Sequence, residues 1–138
     1  MILTDNQKQK IIYECNSWGV HGKHGSDMKN LDAFYTPPEL TIQMIEQFDS
    51  IENKTILDPT CGSGNLLAAC IIAGANPKLI YGNELDAEAL DICKKRLIPM
   101  GVPESNLHLG NALDGECLKK ESFDPNYKKQ TITVNQLW

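Results

Sequence analysis

Thr55-Ile56-Leu57-Asp58-Pro59-Thr60-Cys61-Gly62-Ser63-Gly64-Asn65 is the stretch that decides how the chain is read. Ile56 and Leu57 make a short apolar run, and Gly62 and Gly64 follow as a Gly-x-Gly turn. A second apolar run, Leu66 to Ala75, is long enough for about three helical turns. Strand, glycine turn and helix in that order open a βαβ unit. The glycines permit a sharp turn and leave no Cβ between the backbone and a ligand. The following helix presents N–H groups without intrahelical partners at the mouth of the turn.

Turns of this kind usually hold nucleotide-like ligands, and the residues narrow the choice. A dinucleotide fingerprint needs a third glycine, where this chain has Leu67. No Gly-Lys-Ser/Thr follows, so the turn is not a phosphate loop. Asp58 at the strand tip repels a pyrophosphate and favours a cation. S-adenosylmethionine carries a sulfonium, an ammonium and an adenosine, with no phosphate, and it suits such a turn. The plain alternative is a tight βα turn that binds nothing.

Asp58-Pro59-Thr60-Cys61-Gly62-Ser63-Gly64-Asn65-Leu66 resembles the first motif of the adenine-specific DNA N6-methyltransferases, the modification enzymes of restriction–modification systems. The resemblance implies an α/β fold, a Rossmann-like class I methyltransferase sandwich. It also implies that S-adenosylmethionine contacts Asp58, Thr60, Cys61, Gly62, Gly64, Asn65 and Leu66. Upstream, Phe34-Tyr35-Thr36-Pro37-Pro38 resembles the same family's N-terminal motif, which assigns Tyr35, Thr36 and Pro37 to the methionine end of the cofactor. Read as structure alone, Thr36 and Glu39 form a capping box with Pro37 at the first helical position. Leu40, Met44, Ile45 and Phe48 then mark one helical face.

Leu79-Ile80-Tyr81-Gly82 reads as the second strand and runs into Glu84. Glu84 lies twenty residues past Gly64, where an acid at the next strand tip accepts ribose hydroxyls. Asp86 is the alternative for that role, and the family's second motif puts its ribose acid and Leu85 at the same place. Residues 87–98 read as a helix with Leu90, Cys93 and Leu97 inward and Lys94, Lys95 and Arg96 outward. Leu107-His108-Leu109 is a third short strand. The stretch after it, Gly110-Asn111-Ala112-Leu113-Asp114, resembles the third motif, which places Asn111, Ala112 and Leu113 at the adenine edge. Asp58, Glu84 and Asp114 at successive strand tips would ring a positively charged ligand.

With 138 residues there is room for one domain. Residues 1–30 read as an amphipathic helix, with Ile11, Ile12, Cys15 and Trp18 on one side, and a loop. Residues 31–114 read as the cofactor-binding core and residues 115–138 as a C-terminal extension. His21 and His24 in the loop lack further ligands at metal-binding spacing, so no metal is expected. Net charge is −5, and residues 31–114 hold five Lys/Arg against twelve Asp/Glu. A protein that grips duplex DNA alone usually carries a basic face, so DNA is expected to be met only indirectly. Five cysteines without Cys-x-x-Cys spacing read as reduced thiols in a cytoplasmic protein. No apolar run approaches the roughly 18 residues of a membrane span.

The family's catalytic motif is Asp/Asn/Ser-Pro-Pro-aromatic after a fourth strand, and no intact copy is present. Asp124-Pro125-Asn126-Tyr127 comes close, with Asp124 and Tyr127 as weak catalytic candidates in what reads as a polar turn. Asn135-Gln136-Leu137-Trp138 has matching ends without the prolines and follows Thr131 to Val134, read here as part of a hairpin. The expected fold is therefore truncated, with about three parallel strands, flanking helices and that hairpin. The expected function is the S-adenosylmethionine-binding part of a DNA adenine N6-methyltransferase, inactive alone. A non-catalytic cofactor-binding decoy and a small-molecule methyltransferase are the alternatives. Without a fourth strand, the first strand near Ile56 would be an exposed edge, to be covered by Thr131 to Val134, by a partner chain or by self-association.

Overall fold

The computed structural model describes residues 1–19, 36–114 and 131–133. Among these, Thr55–Asp58 (β1), Ile80–Glu84 (β2), Leu107–Leu109 (β3) and Thr131–Thr133 (β4) pair as one parallel sheet in the order β3-β2-β1-β4. All four positions of β1 are buried, as in a strand covered on both faces. Its register sets Ile56 beside Ile80 and Asp58 beside Gly82. On the far side of β2, Glu84 sits beside Leu109. Parallel pairing puts the carboxyl ends of β1, β2 and β3 at one edge of the sheet, where open α/β sheets bind ligands.

Among the described residues four helices flank the sheet: Asp5–Gly19 (α1), Pro38–Glu46 (α2), Asn65–Ile72 (α3) and Ala87–Leu97 (α4). Every residue of α3 from Asn65 to Cys70 is buried, the mark of an interior helix. It lies under α1 and α2, which pack on it from outside. Ile11 and Cys15 of α1 face inward, in keeping with the periodicity of the sequence. Leu90, Cys93 and Leu97 of α4 join the same core. Leu57 and Tyr81, paired across β1 and β2, form a small separate cluster, because alternate residues of a strand face opposite sides.

Several expectations need correcting. Thr131–Thr133, expected in a hairpin, instead pairs parallel to β1 among the described residues, with Ile132 beside Ile56. That pairing covers the edge of β1, the first of the three coverings expected for it. Thr36 and Glu39 form no capping box, because the N-cap is Pro37 and Pro38 takes the first turn. A reciprocal box forms instead ahead of α1, where Gln7 N–H donates to Thr4 Oγ1 at 3.1 Å and Thr4 N–H to Gln7 Oε1 at 2.9 Å. The buried face of α2 is Pro38, Thr41 and Ile45, while Leu40 is exposed. Asp86 caps α4, accepting from Glu88 N–H at 3.1 Å. Arg96 is buried rather than outward.

Gly64 is the N-cap of α3 at φ 93°, and a Cβ there would lie 3.1 Å from Cys93 Sγ. Gly62 has φ 56°, and a Cβ there would meet nothing within 4 Å. Gly62→Ala therefore carries only the left-handed backbone cost, roughly 1–2 kcal/mol. Gly64→Ala adds a packing conflict of roughly 1–3 kcal/mol. Urea unfolding of the two variants should rank Gly64→Ala clearly below Gly62→Ala.

Candidate functional site at the strand tips

Asn83, the penultimate residue of β2, ties three strand ends together. It is 1% exposed. Its Nδ2 donates to Pro59 O at 3.1 Å and to Gly110 O at 3.0 Å. Two carbonyls on the nitrogen leave Oδ1 facing His108 Nδ1 at 3.0 Å, so the imidazole carries its proton on Nδ1 in this contact. The backbone adds Cys61 N–H to Asn83 O at 2.9 Å and Gly110 N–H to Glu84 O at 3.0 Å. No motif in the sequence points to Asn83. A polar residue next to Gly82 inside an otherwise apolar strand is the signal that marks it.

Glu84 stands half-buried at the mouth of the glycine turn. Its Oε1 accepts from Gly62 N–H at 2.8 Å and its Oε2 from Asp86 N–H at 2.8 Å. Asp58 is 1% exposed, and its Oδ1 accepts from Thr60 N–H at 3.0 Å. Its charge therefore lies beneath the turn, and Glu84 is the acid at the mouth. The side chain of Asp114 lies outside the described residues. Asn111 is exposed, and its Oδ1 accepts from Leu113 N–H at 3.0 Å, holding the short 3-10 turn Ala112–Asp114. Leu85, Leu109 and Leu113 are 68%, 51% and 81% exposed at the ends of β2 and β3 and just beyond.

The other motif residues divide by depth. Leu66 is in the core. The Cys61 thiol turns away from the surface and meets Cys93 at 3.8 Å between sulfurs. Its hydrogen bond with Cys93, then burial, push that thiol well above the usual range, so it is a packing group rather than a nucleophile. Asn65 is also buried, and its Nδ2 donates to Thr36 O at 3.2 Å. That bond brings the segment ahead of α2, with Thr36 and Pro37, beside the glycine turn. Gly82 explains the close packing here: a Cβ on it would lie 3.0 Å from both Cys61 Sγ and Leu67 Cδ1. Leu67, in the place of a dinucleotide motif's third glycine, fills that space itself.

Tyr35, His21, His24, Cys117, Asp124, Tyr127 and residues 135–138 lie outside the described residues. Among the described residues no group of His, Cys, Asp and Glu is arranged to hold a metal ion. No described helix is long and apolar enough to cross a membrane.

A family model for N-6 DNA methylases matches residues 23–138. The chain belongs to that family, and its parallel sheet with flanking helices is the Rossmann-like class I methyltransferase fold that the first motif implied. It is similar to the Type II methyltransferase M.VspI of Vibrio sp., at 33% identity over 94 residues, covering 67% of this chain and 23% of that protein. It is also similar to the Ubiquinone biosynthesis O-methyltransferase of Hydrogenovibrio crunogenus, at 38% identity over 107 residues, covering 78% of this chain and 40% of that one. A solved type I restriction-modification methyltransferase subunit from Streptococcus thermophilus superposes with a TM-score of 0.49 at 29% identity, covering 59% of this chain and 19% of that chain. The aligned region spans less than half the length of either curated relative.

Asn83→Asp tests the bridge between the tips. The substitution keeps the shape but removes both donors, setting a carboxylate oxygen against two carbonyls. Each orphaned group costs roughly 1–3 kcal/mol, so urea unfolding should show a loss at least as large as that of Asn83→Ala.

Proposed function

We propose that the chain binds S-adenosylmethionine across the carboxyl ends of β1, β2 and β3 and forms the cofactor-binding part of a DNA adenine N6-methyltransferase. The observation that carries this reading is the Glu84 carboxylate fixed over the glycine turn, 2.8 Å from Gly62 N–H. A carboxylate offers about four lone-pair sites, so Glu84 retains acceptors beyond its bonds to Gly62 and Asp86. Two neighbouring ribose hydroxyls are the donors that suit it. The open space where a Gly62 Cβ would stand lets a ligand approach the backbone.

The remaining residues fit the same molecule. Exposed Leu85 and Leu113 offer apolar contact to a flat base, with Asn111 and Ala112 at its edge. Thr36 and Pro37, with Tyr35 by resemblance, suit the methionine end, beside Gly64 and Asn65. The buried Asp58 carboxylate disfavours a pyrophosphate and favours a cation. Thr60 holds that acid in place through its N–H, and Cys61 and Leu66 wedge the turn against the core. When bound, the cofactor supplies an electrophilic methyl group on its sulfonium. The family model covers this whole constellation, which supports the DNA reading over a small-molecule one. Four buried free thiols among the described residues suit a reducing compartment, and we assign the protein to the cytoplasm.

The 138-residue chain by itself does not methylate in this reading, because the Pro-Pro-aromatic segment is missing from its sequence. A partner chain or a further segment supplies it, and with it the contact to a flipped adenine. One observation favours a second reading. β4 runs parallel beside β1, where the resemblance puts the strand ahead of the catalytic motif, and Asn135 comes two residues after its end.

Calorimetric titration with S-adenosylmethionine tests the primary reading. Glu84→Ala should lower affinity by roughly 1.5–3 kcal/mol, the worth of a charged hydrogen-bond acceptor, or about 10- to 100-fold. Equal affinity in a folded Glu84→Ala protein would sink it. Incubation of the chain with adenine-containing DNA and labelled cofactor should give no N6-methyladenine. Turnover that is lost in Asn135→Ala would install the second reading in its place.

A further inference from the structure

The Lys94-Lys95-Arg96 triplet reads as a solvated helix face, yet Arg96 is 3% exposed. A buried cation needs partners on every side, and Arg96 has them on three elements. Its Nε donates to Glu14 Oε2 of α1 at 2.8 Å and its Nη2 to Glu14 O at 3.4 Å. Its Nη1 donates to Ser63 O at 3.2 Å and to Asn65 Oδ1 at 2.6 Å. The guanidinium carbon lies 6.0 Å from the centroid of the Trp18 ring.

The direction of these bonds matters more than their number. Arginine only donates, so it fixes which end of the Asn65 carboxamide faces it. With Oδ1 held on Arg96, Nδ2 has one direction left, and there it donates to Thr36 O at 3.2 Å. The flipped amide would set N–H against N–H at Arg96 and oxygen against oxygen at Thr36. One side chain on α4 thus determines the spacing between the glycine turn and the segment that precedes α2.

We infer that Arg96 is a positioning residue of the cofactor site, clamping Thr36 to the Ser63–Asn65 turn through the Asn65 carboxamide and tying both to α1 through Glu14. As a role in cofactor binding this rests on the reading given under Proposed function. As a clamp it stands on the geometry alone. Lysine keeps the charge but lacks the planar fork, so it cannot hold Ser63, Asn65 and Glu14 at once. Asn65→Asp keeps an acceptor for Arg96 and loses the donor to Thr36.

Two measurements on Arg96→Lys and Asn65→Asp decide the matter. The first is amide hydrogen exchange without cofactor, comparing peptides over residues 36–41, 62–66 and 80–84. Both variants should speed exchange by about tenfold over 36–41, with Arg96→Lys also loosening 62–66 and neither touching 80–84. The second is titration with S-adenosylmethionine, where each variant should bind about tenfold more weakly. Affinity in the double variant should fall no further than in the weaker single, because the two residues act in series. Wild-type exchange over 36–41 in a folded Asn65→Asp protein overturns the clamp. Wild-type affinity in that protein, with exchange speeded, overturns the positioning role. Should Arg96→Lys fail to fold, Asn65→Asp decides alone. A wild-type chain that does not bind the cofactor at all removes the functional reading, and the exchange measurement still decides the clamp.

Discussion

A single buried carboxamide, Asn83, keeps three strand ends at one spacing. Its two donated hydrogen bonds reach the loop after β1 and the loop after β3, and its oxygen holds His108. Leaving any of these groups dry and unpaired is costly, so the arrangement is stable only as a whole. Because the tips cannot drift apart, the Glu84 carboxylate stays over the Gly62 N–H. Because Gly82 has no Cβ, Cys61 and Leu67 close up against β2. The glycine turn, the acid and the Gly110–Asp114 turn are thus one surface rather than three neighbouring loops.

A second set of polar contacts works beneath that surface. Arg96 is buried at the junction of α1, α4 and the turn, and its bonds carry order outward to Thr36. Asp58 is buried nearby and holds the turn through Thr60 N–H. Buried charges of this kind are weak contributors to net stability, since desolvation offsets much of the attraction. Their value here is geometric, as they fix where backbone N–H and C=O groups point.

Much of the fold around the candidate site was legible because short-range patterns carry it. Apolar runs on either side of Gly62 and Gly64 announced strand, turn and helix, and the spacing to Glu84 announced the second tip. Leu90, Cys93 and Leu97 showed the inner face of α4 by their 3–4 spacing. What escaped notice depends on distant partners. Arg96 is three residues after Cys93 and so shares the inner side, but its burial depends on Glu14, 82 positions away. Thr36 and Glu39 match a capping box that Pro38 displaces by one residue, while the box that forms is at Thr4 and Gln7. β4 is three residues long, and nothing local tells a parallel partner of β1 from a hairpin arm.

If the tips of β1, β2 and β3 form one ligand surface, as proposed, amide NMR shows it most directly. Adding S-adenosylhomocysteine, the demethylated cofactor, to 15N-labelled protein should move the amide signals of Gly62, Glu84, Leu85 and Asn111 together along a single saturation curve. Signals from α1 facing away from the turn and from Thr131–Thr133 should stay in place. An unchanged spectrum at millimolar ligand, or shifts gathered away from the three tips, would contradict the account.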